Sequence, residues 1–140
     1  MLRVKYFLCA ESAAVDLRKS TLSAFHILEN AYAPIFPFLI PRICVLAAFE
    51  RTPEEPSLLA LALSVTLGEH QVFRGPFALN FAQQLQTRTM VEMGGLPVTS
   101  PGELKFSLYR EENLVASWAI TIERLNAPGM EQLPFPAQPN

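Results

Sequence analysis

Charge is what this 140-residue sequence has least of: 17% of its residues are Asp, Glu, Lys or Arg, where about 25% is usual. Thirteen acidic against eleven basic side chains leave a net charge of −2. So small an imbalance supplies no field to hold a polyanion, and nucleic-acid binding through phosphate neutralisation is unsupported. Cysteine is also scarce. Cys9 and Cys44 alone exclude a disulfide scaffold, and buried thiols in strands are ordinary. No apolar run approaches the roughly 18 residues of a membrane span. The apolar stretch Tyr6-Phe7-Leu8 after Arg3 and Lys5 is ended by Glu11, far short of a secretory leader, and Leu8 before Cys9 is too bulky for a lipoprotein cleavage site. The sequence therefore reads as soluble and cytoplasmic. Half of it is hydrophobic, and a surface poor in charge favours association with a second copy or another protein.

What fills the chain instead is alternation. In LLALALSVTL (58–67), Leu59, Leu61, Leu63, Val65 and Leu67 occupy every second position, with Ala60, Ala62, Ser64 and Thr66 between them. Leu and Ala favour helices by propensity, but a helix scatters these large side chains around its axis, and a strand puts them on one face. The same period runs through RVKYFLCA, LQTRTMVEM, ELKFSLYR and LVASWAITIE. Pro101-Gly102, the polar EEN (111–113) and Gly68 supply turns. RICVLAAFE (42–50) is apolar on both faces, which places it where both sides are covered, by the opposite sheet and by a loop or neighbouring subunit. LSAFHIL (22–28) reads as its partner strand. A helix over 12–28 competes with that reading, although the polar cluster Asp16, Arg18, Lys19, Ser20 fits a hairpin turn better.

About eight strands with no long helix predict an all-β, antiparallel β-sandwich of the immunoglobulin-like or C2-like Greek-key kind over residues 1–126. The Pro-rich tail 127–140 is expected to be extended and flexible. In order along the chain, FLCAE, DLRKST, FHILENAYAPIFPFLIPRICVLAAF and PGELKFSLYREENLVASWAITI resemble an uncharacterised bacterial family known only as a domain of unknown function. The resemblance spans residues 2 to 125 and implies a sandwich fold in which the NAYAPIFPFLIPR-like segment leads from one strand into the next. It brings no catalytic motif. Members of that family tend to carry Gly in the first turn, where this chain has Arg18-Lys19-Ser20.

Candidates for chemistry are few. Cys9, His26, Cys44 and His70 lack the close ligand pairs of a zinc site. A Cys–His hydrolase also needs a base and an oxyanion donor set by a sharp turn, and neither cysteine has one nearby in sequence. Glu54-Glu55 and Glu111-Glu112 sit in predicted loops, where solvation accounts for them; Glu11, Asp16 and Glu29 stand alone. No phosphate-binding glycine pattern occurs. Neither a catalytic residue nor a cofactor is assigned. Trp118 and Tyr109 are the only aromatics that offer a carbohydrate-binding platform. In AYAPIFPFLIPR (31–42), Pro34, Pro37 and Pro41 exclude a central strand. Tyr32, Ile35, Phe36, Phe38 and Leu39 then either close one end of the sandwich or form a protein-binding surface. The expected function is a non-catalytic, self-associating interaction or structural module. Pro136-Ala137-Gln138-Pro139 matches P-x-x-P without the flanking basic residue such ligands use.

Overall fold

A computed structural model describes residues 1–125; the expected Pro-rich tail 127–140 lies outside the described residues. Nine strands follow one another: β1 Leu2–Asp16, β2 Thr21–Ile27, β3 Asn30–Ala33, β4 Phe38–Arg51, β5 Leu58–Leu67, β6 His70–Asn80, β7 Gln86–Val98, β8 Gly102–Arg110 and β9 Asn113–Arg124. They form a four-stranded sheet in the order β2-β1-β4-β7 and a five-stranded sheet in the order β3-β9-β8-β5-β6. The all-β sandwich predicted by alternation is present, with nine strands among the described residues where about eight were expected. Among the described residues no helix is long and apolar enough to cross a membrane.

The core lies between the sheets. Leu59, Leu61, Leu63, Val65 and Leu67 of β5 all turn inward, as their spacing requires. Phe106 stands at the centre of β8, opposite Val65 on one side and Trp118 on the other. Phe7, Cys9, Ile43, Val45 and Phe49 face them from the first sheet.

Region 12–28 is a hairpin. The Asp16 carboxylate accepts the backbone N–H groups of Arg18 at 3.0 Å and Lys19 at 3.2 Å, which fixes the turn without glycine. The other face of β4 finds its cover here. Cys44, Leu46 and Ala48 are buried yet lie outside the inter-sheet core, because the β1–β2 hairpin folds back across them. Leu22 and Ala24 of β2 wall a crevice with Tyr6, Leu8 and Leu46. At the tip, the Arg88 guanidinium of β7 donates to the Ser20 carbonyl at 3.2 Å. A loop of the same chain thus does what a neighbouring subunit could have done.

Two expectations need correction. One strand pair is parallel: β3 runs alongside β9, so the second sheet is mixed. Pro41 lies inside β4, and Pro97 inside β7. Pro41 is tolerated because β1 leaves β4 at Cys44, and beyond that point β4 has β7 as its one partner. The site is an edge in all but name. Opposite Pro41, Gly95 adopts φ +63°, and in both strands the inward side chains skip from Ile43 to Ile40 and from Met93 to Leu96.

Candidate functional site

The segment 31–42 begins in β3, rounds a loop and enters β4. Its aromatic and aliphatic side chains divide. Phe36 and Phe38 are half-buried against the core, their rings edge-to-face at 5.3 Å. Tyr32, Ile35 and Leu39 point the other way and are 55%, 72% and 63% exposed. The stretch therefore divides between packed and exposed side chains. Phe36 and Phe38 close the end of the sandwich, and Tyr32, Ile35 and Leu39 form an uncovered rim.

The rim is held from beneath. Arg124, at the end of β9, donates to the Pro34 carbonyl at 3.2 Å and stacks over the Phe36 ring at 5.0 Å. The Leu125 N–H donates to the Ala33 carbonyl at 3.0 Å. Sequence reasoning missed Arg124, and no local signal could have found it, since the contact spans 90 residues.

The remaining candidates are scattered. Cys9 is fully buried in the inter-sheet core, and desolvation pushes its thiol well above the ordinary range, away from the reactive thiolate. Cys44 is equally buried, but under the hairpin on the opposite face of the sheet. His26 is exposed, with Nδ1 2.9 Å from Glu11 Oε1. His70 opens β6 on the far sheet. No Cys–His pair is assembled, and among the described residues no group of three His, Cys, Asp or Glu could hold a metal ion.

Trp118 and Tyr109 do not share a platform. Trp118 faces the core, and its indole N–H donates to the Leu28 carbonyl at 2.8 Å. Tyr109 lies on the outer face beside Ala62, with the Arg74 guanidinium 5.7 Å from its ring.

Of the acidic residues, Glu55 has a defined role. Arg110 binds it through two parallel hydrogen bonds of 2.8 and 3.1 Å, tying the β4–β5 loop to the end of β8. The Met1 amine stands 3.4 Å away. The hydrogen bond from Arg110 holds the Glu55 carboxyl below its ordinary value of 4.5. A carboxyl depressed in the folded state stabilises fully above its unfolded value and loses that contribution as pH falls through the folded one. Glu55→Gln is therefore expected to lower the urea midpoint at pH 7, with the difference from wild type shrinking to nothing well below pH 4.5. A difference that persists undiminished in acid counts against the ion pair.

No family model matches the chain, and no curated protein is significantly similar to it.

Proposed function

We propose that this domain is a non-catalytic interaction module of the cytoplasm that self-associates, with Tyr32, Ile35 and Leu39 as a contact surface for a second copy. One observation carries the reading: three large apolar side chains, each more than half exposed, belong to one short segment that Arg124 holds at Pro34 and Phe36. A rigid apolar rim loses little side-chain freedom on docking, which lowers the cost of binding. The scarcity of charge favours like-with-like contact over electrostatic capture. Two free, buried cysteines suit a reducing compartment. Burial of both thiols supports a module without chemistry of its own.

Ile35→Asp is the direct test, because an exposed side chain can be replaced without disturbing the core. The variant is expected to sediment at a lower mass than wild type with an unchanged melting temperature. Equal masses at every concentration tested would remove the rim from the proposal.

A further inference from the structure

Strand β7 hydrogen-bonds to β4 on one side and, among the described residues, to no strand on the other. A row of unpaired N–H and C=O groups is a template for another strand, and proteins blunt such edges with proline, bulges or short length. The other outermost strands are blunted in these ways. β2 has seven residues with His26 at φ +59°, β3 has four, and β6 carries Gly75-Pro76 in its middle. In β7 the Gly94-Gly95 pair and Pro97 come only towards the end, so the edge from Gln86 to Glu92 and on to Gly94 is unbroken.

The sequence of that edge is self-complementary. Arg88 stands two residues before Met90, and Glu92 two residues after; all three side chains are exposed on the outer face. Laid antiparallel against itself with Met90 opposite Met90, the strand sets each Arg88 against the other copy's Glu92. Opposite charges directly across an antiparallel pair stabilise it, and like charges oppose it. Centring the pairing on Arg88 or on Glu92 brings like charges face to face, so of these three registers the one centred on Met90 is favoured. Each Arg88 guanidinium has donors to spare beyond its bond to the Ser20 carbonyl, and each Glu92 carboxylate keeps lone pairs beyond its bond from Arg42 of its own chain.

A second observation points to the same edge. A cleft of about 380 Å³ opens between the sheets there, lined by Val91 and Met93 of β7 and by Val72, Phe73 and Pro76 of β6. Its apolar walls face water in one copy alone, and an added strand covers its mouth.

We infer that β7 pairs antiparallel with β7 of a second copy, centred on Met90, and joins the two four-stranded sheets into one of eight. This rests on the reading that the chain self-associates, and it adds a contact separate from the rim. The test uses Ile35→Asp as the background, where the rim contact is lost. That variant is expected to remain a dimer of the 15.6 kDa chain. Adding Arg88→Glu, or adding Glu92→Arg, is expected to give monomers by sedimentation velocity. Mixing the two monomeric variants in equal amounts is expected to restore a dimer, because each Glu then meets an Arg on both sides of the axis. Misfolding cannot imitate that rescue. The combined reversal R88E/E92R is expected to dimerise by itself. Dimers that survive either single reversal, or a mixture that stays monomeric, overturn the inference. A monomeric Ile35→Asp background overturns the edge contact and leaves the rim standing, whereas a monomeric wild type overturns both.

Discussion

Leu46→Ala is expected to lower the unfolding free energy by about 2–5 kcal/mol, the range for truncating a buried leucine. The size is the point, since Leu46 does not belong to the inter-sheet core. It lies on the face of β4 turned away from the second sheet, where an ordinary sandwich strand meets water. It is nonetheless 1% exposed, because Leu22 and Ala24 of the β1–β2 hairpin fold over it together with Tyr6 and Leu8. Truncation leaves a cavity between a sheet and a hairpin that cannot both relax onto it. Urea unfolding followed through Trp118, the sole tryptophan, reads the loss. Leu58→Ala is the control. It is a strand leucine outside the rim and is exposed, and a shift within about 0.5 kcal/mol is expected. Equal, small shifts for the two variants would mean that the hairpin is not seated.

That hairpin also marks where sequence reading reached its limit. The two-sided apolarity of 42–50 showed that something must cover the outer face of β4. Nothing local could show that the cover is residues 21–24, because the fold-back depends on a bend in β1 and on Arg88 reaching Ser20 across 68 residues. Strands β5, β8 and β9 were legible for the opposite reason. Their large residues fall strictly on alternate positions, and each joins its neighbour through a short turn or pairs along most of its length. Strand β6 was not legible. HQVFRGPFALN contains Gly75-Pro76 and pairs with β5 across a register shift at Val65/Thr66, so its inward residues lose the even period. Strand β3 has four residues and a parallel partner 91 positions away in Thr121; no turn signal announces such a pairing.

The candidate surface was half legible. Proline spacing separated 31–42 from the central strands, and its apolar content required either burial or a partner. Which side chain takes which role depends on the loop's path. Phe36 and Phe38 turn inward and Tyr32, Ile35 and Leu39 outward, a division the residue types do not encode. One consequence is practical. Charged substitutions at Phe36 or Phe38 test packing as much as association, and the rim is better examined at Ile35. The free edge of β7 was visible as a strand and invisible as an edge, because edge status is a property of the sheet order and not of the strand.

Trp118→Ala is expected to cost about 3 kcal/mol of stability, at the lower end of the range for removing a large aromatic from a core, since the ring is half-buried. Two losses combine. The indole packs beside Phe106 on the inner face of β9, and its N–H satisfies the Leu28 carbonyl where the chain passes from β2 to β3. The second loss can be isolated. Trp118→Phe keeps most of the apolar volume but leaves that carbonyl without its donor, and about 1 kcal/mol is expected. Circular dichroism must follow both variants, as each removes the fluorescent probe. The pair of values also separates two views of this residue. A tryptophan serving as an exposed glycan platform gives almost no stability change on truncation, because its ring face meets water until a ligand arrives. A tryptophan that seals the sandwich beneath the β2–β3 crossing gives the large value for alanine and the smaller one for phenylalanine. The crossing carries the chain from one sheet to the other and leads into β3, the strand that bears Tyr32. Loosening it is therefore expected to weaken self-association through the rim as well, with Trp118→Ala showing the larger drop in sedimenting mass.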